Sequence, residues 1–299
     1  TIDFAQKVAF ISATDRRVAD DSKTKAEGGI WLLDMGDSSS QPIQLSVELK
    51  GEFYPHGIDL LQLENGDREL YVVNHPGPGR DEILAFTVGA DHGLTLKAQY
   101  SFPELISPND IEAVSRDVFF VSNDHGSPRG SVMATLESYL GLSRSSIALF
   151  DGKRGHIVAE DLRMANGVAL SKDQLTLYVA ETTGRRLTRF ARGENLKEWR
   201  RIDSLFVDSG VDNLEWDQHG RLLTGAHPKL FDFLGHSKSA SNVSPSQVIR
   251  IDLEREPLSF ETLYLNPGEE LSGSSVAADL GGELLVGAVY EPHFLRCRK

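Results

Sequence analysis

The sequence predicts an all-β chain folded as a six-bladed β-propeller, and three observations point to it. A short polar start followed by an apolar-alternating strand recurs along the 299 residues. It appears as PHGIDLLQL (55–63), PNDIEAVS (108–115), ANGVALS (165–171), VDNLEWD (211–217) and GSSVAAD (273–279), with TIDF (1–4) as a truncated sixth. After each comes a second strand rich in β-branched and aromatic residues. The repeat period is roughly 45 to 62 residues with three or four strands in each, as in propeller blades.

The second strands are KVAFISA, RELYVVNHP, DVFFVSND, LTLYVAET, GRLLTGAHP and GELLVGAVY. Third strands often follow: GIWLLDM, EILAFTV, SIALFDG, RLTRFAR and QVIRIDL. Turn-formers stand at the joints, among them Asn65-Gly66-Asp67, Ser171-Lys172-Asp173 and Gly281-Gly282. Few segments hold a 3.6-residue period, which argues against βαβ units. A β-sandwich would not need the long-period echo. No Pro/Ser-rich linker or shift in composition divides the chain, so residues 1–299 read as one domain whose first strand is cut short. One segment is helical in pattern. From Ser131 to Leu142, Val132, Leu136, Tyr139 and Leu140 share a face. It reads as a short helix packed on the propeller, or alternatively as a lid or a lipid-facing surface.

The formal net charge of -13 argues against nucleic acid as a partner. No apolar run reaches the ~18 residues that a membrane span requires. The chain opens within what reads as folded sequence, so a targeting segment would lie upstream of Thr1. Cys297 is the one cysteine. It excludes an intrachain disulfide and a cysteine-type zinc cluster, and leaves a free thiol or a pairing with a cysteine upstream of Thr1.

The innermost strand of each blade lines a propeller's channel, so the starts of the first-type segments form a ring on one face. That ring comprises His56, Asn109-Asp110, Asn166 and Asp212-Asn213. Turn chemistry explains any one such pair. Four, each opening an equivalent strand, point to a site. Calcium takes six to eight oxygen ligands from carboxylates, amide carbonyls and water, whereas zinc wants His and Cys. His75 closes the strand antiparallel to the one that His56 opens, so the two imidazoles can meet and pass a proton from a water. His125 and His227 end equivalent strands and border the same cavity.

Together YPHGID (54–59), VVNHPG (72–77), PNDIEAV (108–114), SNDHG (122–126), ESYLGL (137–142), MANGVALSKD (164–173), VDNLEWD (211–217), GAHP (225–228) and LSGSSVA (271–277) resemble the serum paraoxonase and arylesterase family. The matches run in order from about residue 8 to Cys297. The resemblance implies a calcium-dependent hydrolase of carboxylic esters and lactones, with one catalytic and one structural calcium. By motif, Asn109, Asn166, Asp212 and Asn213 would hold the catalytic ion; Asp110 and the Ile58 carbonyl would hold the structural one. His56 and His75 match a catalytic dyad, with Asp212 as a rival proton acceptor. Asp124, His125, Met164 and His227 match residues around the substrate pocket. The family's first strand also supplies a Glu-Asp pair of calcium ligands; the Glu is expected upstream of Thr1, and the Asp position falls at Thr1 or is missing as well. Some members act on phosphotriesters, but the family's aromatic-containing loop is replaced here by a charged stretch from Thr14 to Lys25. Calcium dependence favours an extracytoplasmic or membrane-associated setting. Two other readings share the pattern: a gluconolactonase or senescence-marker type of sugar lactonase, and a non-catalytic propeller that uses calcium as a pin.

Overall fold

The computed structural model describes residues 1–19, 27–77 and 79–298; residues 20–26, inside the charged stretch singled out above, lie outside them. The described strands form six antiparallel sheets, each a meander in chain order, arranged as a propeller. The first blade comprises Ile2–Asp3, Val8–Thr14, Gly28–Asp34 and Ile43–Gln44. The second comprises Pro55–Gln62, Arg68–Asn74, Glu82–Val88 and Leu94–Tyr100. The third is Pro108–Ser115, Val118–Asn123, Ser145–Asp151 and Gly155–Leu162, and the fourth is Ala165–Leu170, Thr176–Glu181, Arg186–Arg192 and Trp199–Phe206. The fifth is Gly210–Trp216, Leu222–His227, Ser246–Asp252 and Ser259–Asn266. The sixth holds three strands, Ser274–Leu280, Glu283–Ala288 and Leu295–Arg298. The segments that echo in the sequence are therefore the inner, second and third strands of the blades.

Burial explains why the second strands are the most apolar. They are covered on both faces, so Leu70, Tyr71, Val72 and Val73 are fully buried, as are Phe119, Phe120 and Val121. The outermost strands face water, and Trp199–Phe206 is mostly exposed. Apolar clusters glue each blade to the next. Phe10, Ile30, Leu70 and Phe86 join the first two blades; Phe120, Leu149, Val168 and Phe190 join the third and fourth. Ile2, Ala9, Leu33 and Met35 meet Ala278 and Leu285, so apolar packing closes the ring between the first and sixth blades.

Two glycines let the inner strands approach. A Cβ on Gly57 would lie 2.5 Å from the Asn109 oxygen and from the Asp110 Cα. A Cβ on Gly167 would lie 2.4 Å from the Leu214 nitrogen and 2.6 Å from the Asp212 oxygen. Backbone against backbone leaves no flexible neighbour to give way.

The helix foreseen at 131–142 spans Val132–Leu140, with Ser131 capping its start and Gly141, at φ 59°, its end. Its apolar face does not pack on the propeller as expected. Ala134 and Glu137 are buried instead, while Val132 is 80% and Leu140 66% exposed. The carboxylate of Glu137 sets this orientation, because it accepts from the Gly126 N–H and the Ser127 hydroxyl, each at 2.8 Å. A second helix, Leu230–Lys238, follows the fifth blade's second strand. Lys238 Nζ donates to the Tyr139 hydroxyl (2.8 Å) and joins the two helices. Cys297, in the last strand, is a free, half-buried thiol.

Gly167→Ala should therefore lower stability by about 1–3 kcal/mol through overpacking between the fourth and fifth blades. Urea unfolding at constant m-value checks this; an unchanged midpoint contradicts it.

Candidate functional site

In the second to fifth blades a β-bulge falls at the start of the inner strand. Pro55 pairs with Asn74 but Ile58 with Val72, leaving His56 and Gly57 opposite a single residue. The same shift places Asn109-Asp110, Asn166-Gly167 and Asp212-Asn213 at bulges. A bulge takes a side chain out of the ladder's alternation and re-aims it. The short polar starts read from the sequence are these bulges.

At each of these bulges one side chain has a partner from its own blade's second strand, at the residue after the one that pairs immediately before the bulge. His56 Nδ1 lies 3.0 Å from His75 Nε2. Asn109 Nδ2 donates to Asp124 Oδ2 (3.2 Å), and Asn166 Nδ2 to Thr182 Oγ1 (3.3 Å). Asp212 Oδ2 lies 2.8 Å from the Nε2 of fully buried His227. His227 stacks on Phe233 of the second helix at 3.7 Å between ring centroids. The residues before the first three partners are structural pins. Buried Asn74 accepts from the Tyr54 N–H, Asn123 from those of Ile106 and Ser107, and Glu181 from that of Arg163.

Three amide oxygens at these bulges are left over. Asn109 Oδ1, Asn166 Oδ1 and Asn213 Oδ1 are buried without a hydrogen-bond partner. Buried polar oxygens normally have a donor, and leaving one unmet costs about 1–3 kcal/mol. Three at equivalent bulges fit a cation that takes oxygen ligands. Among the described residues, no three His, Cys, Asp or Glu side chains gather as a metal site, so the donor set is one of amides rather than of zinc ligands. Asp110 lies beside it, with Oδ2 accepting from the Val168 N–H at 3.1 Å. Burial pushes its carboxyl well above the ordinary range. Three further channel carboxylates, Asp59, Glu112 and Glu215, act on it or on one another; burial raises Asp59 to about 6 and Glu112 well above its usual value. The sequence reading passed over these three, each two residues beyond a bulge.

The histidine pair extends further than expected, since His75 Nδ1 is 2.8 Å from Asp81 Oδ1. The carboxylate requires the proton on His75 Nδ1. His75 Nε2 then accepts from His56 Nδ1–H, and His56 Nε2 is left with a free lone pair. Burial keeps both rings neutral: it holds His56 well below the ordinary imidazole value and His75 at about 4, with Arg129 assisting and Asp81 opposing at His75. His125 bridges Asp124 Oδ1 and Ser138 Oγ, each at 2.7 Å, and so ties the first helix to the site. Half-buried Met164 adopts φ 56° directly before the fourth inner strand.

Fold and site together define a β-propeller that sets partnerless amide oxygens and a histidine pair at the bulges that open its inner strands. The arylesterase family model matches residues 5–298, and the chain belongs to that family. It is 32% identical over 274 residues to serum paraoxonase/arylesterase 2 of Bos taurus, covering 88% of this chain and 75% of that protein. It is 30% identical over 273 residues to serum paraoxonase/lactonase 3 of Oryctolagus cuniculus, with the same coverage. Among solved structures, a calcium-binding protein, regucalcin from Agrobacterium tumefaciens, superposes with a TM-score of 0.53 at 14% identity, over 98% of this chain and 81% of that one.

At neutral pH, nitrogen-resolved NMR should find His75 protonated at Nδ1 and His56 at Nδ1, with His56 Nε2 bare. A proton on His56 Nε2 contradicts the relay.

Proposed function

We propose that the protein is a calcium-dependent hydrolase of carboxylic esters and lactones. The carrying observation is the trio of buried amide oxygens without donors on Asn109, Asn166 and Asn213. With Asp212 they would hold a calcium ion; Asp110 and the Ile58 carbonyl would hold a second, structural one. Bound there, calcium supplies a Lewis acid for the substrate's carbonyl oxygen.

The chain's own residues do the rest. His56 Nε2 takes a proton from water as the water oxygen bonds to the carbonyl carbon. His75 holds the His56 ring through Nδ1, and Asp81 fixes the His75 tautomer. The acyl–oxygen bond then breaks, and the proton returns from His56 to the leaving oxygen. Asp212, held by His227, serves as a ligand and as a rival proton acceptor. Asp124, His125, Met164 and His227 border the substrate. Family membership supports the reaction class, and the two relatives are named as an arylesterase and a lactonase.

Dialysis against a chelator should abolish hydrolysis of phenyl acetate and of an aliphatic lactone and lower the melting temperature, because a ligand of the folded state stabilises it. Unchanged activity and melting would falsify the calcium assignment. Asn166→Ala should remove activity and the calcium-induced rise in melting temperature together. His56→Gln should cost ~10²–10⁴-fold in kcat. If His56→Gln turns over at the wild-type rate, Asp212 rather than the dyad is the base.

A further inference from the structure

His227 has one hydrogen bond and one stacked neighbour. Its Nε2 donates to Asp212 Oδ2 at 2.8 Å. Its Nδ1 is buried with no hydrogen-bond partner among the described residues. One hydrogen bond fixes a point on an imidazole and leaves its plane free to turn. The plane is set by Phe233, whose ring lies at 17° to it with 3.7 Å between centroids. Gly273, at φ 68°, makes room for Phe233, since a Cβ there would lie 3.0 Å from its ring.

Phe233 is placed in turn by contacts that lead to the first blade. It meets Tyr290 at 5.9 Å between centroids, and His236, on the same helix, meets Tyr290 edge-on at 5.9 Å. Arg17, just after the first blade's second strand, closes the group. Its guanidinium lies 4.9 Å over the Tyr290 ring. Nη1 donates to the Tyr290 carbonyl and Nη2 to the His236 carbonyl, each at 2.9 Å. Fully buried His236 is pinned as well: Nδ1 donates to the Asn242 carbonyl at 2.6 Å, and Nε2 stands 3.2 Å from both Arg17 Nη2 and Glu291 Oε1. A planar fork that donates to two carbonyls and covers a ring fixes their relative placement. Arg17 thereby ties the first blade to the Leu230–Lys238 helix and to the segment after the sixth blade's second strand.

We propose that Arg17 is a positioning residue for Asp212, a proposal that rests on the reading of Asp212 as a calcium ligand. It acts through Tyr290, Phe233 and His227 rather than on the reacting atoms. Groups that orient a metal's ligands matter nearly as much as the ligands, and losing one typically costs about 10–100-fold in metal affinity or activity.

The test uses the full chain and reads the imidazole first, calcium second. In the wild type the Phe233 face should shift the His227 ring-carbon protons upfield in the NMR spectrum, with or without calcium. Arg17→Ala should lose most of that shift, as Phe233→Leu does. Calorimetry should find calcium bound about tenfold more weakly by Arg17→Ala, and kcat for phenyl acetate should fall with KM little changed. Arg17→Lys keeps the charge and one donor, should recover part of each effect, and serves if Arg17→Ala fails to fold. Tyr139→Phe removes the Lys238 bond of the same helix and should leave both the ring shift and the calcium affinity at wild-type values. A ring shift or a calcium affinity unmoved in Arg17→Ala and Arg17→Lys overturns the proposal and leaves the hydrolase intact. So does a Tyr139→Phe variant that moves both as far as Arg17→Ala, since any attachment of the helix would then serve. A wild type that neither binds calcium nor hydrolyses phenyl acetate overturns the hydrolase reading and the role of Arg17 with it.

Discussion

The site depends on a local irregularity repeated around the ring: an extra residue at the start of the inner strand in four successive blades. A regular strand would send alternate side chains into the interblade packing, where a polar group has no place. The bulge frees one side chain from that alternation. The second strand, one residue beyond its pairing at the bulge's edge, then supplies the group that fixes it. His75, Asp124, Thr182 and His227 occupy this one position and hold His56, Asn109, Asn166 and Asp212. Four different chemistries thus come from a single geometric unit. The apolar clusters between blades keep those units in register, and Gly57 and Gly167 let neighbouring units touch.

Binding the nitrogen of an amide leaves its oxygen directed elsewhere. In Asn109 and Asn166 the protein occupies the Nδ2 donor and provides nothing for Oδ1. Neutral oxygens of this kind hold a cation without cancelling its charge, as a Lewis acid requires. Burial, helped by the neighbouring channel carboxylates, raises Asp59, Asp110 and Glu112 above the ordinary carboxylate range.

Much of this architecture was legible in the sequence because period and composition are local properties. The polar starts at His56, Asn109, Asn166 and Asp212 stand out against the apolar strands they open, and the six second strands are unmistakable in their β-branched and aromatic content. The His56–His75 contact followed from antiparallel neighbours. Asp81 was not legible, for it lies on the strand-connecting loop and only a fold brings it to His75. Thr182 was missed because a threonine after a strand carries no distinctive signal. For the 132–140 helix the sequence left two faces open: periodicity locates an apolar stripe, but the buried bonds of Glu137 decide which side turns inward. The Leu230–Lys238 helix, which carries the Phe233 that stacks on His227, has too weak a period to announce itself.

The most direct measurement is a crystal structure grown in calcium, with anomalous difference density to mark the ion. A peak within about 2.3–2.6 Å of Oδ1 of Asn109, Asn166 and Asn213 is the result this account requires. Amide oxygens satisfied by water or protein donors, with no cation among them, would contradict it.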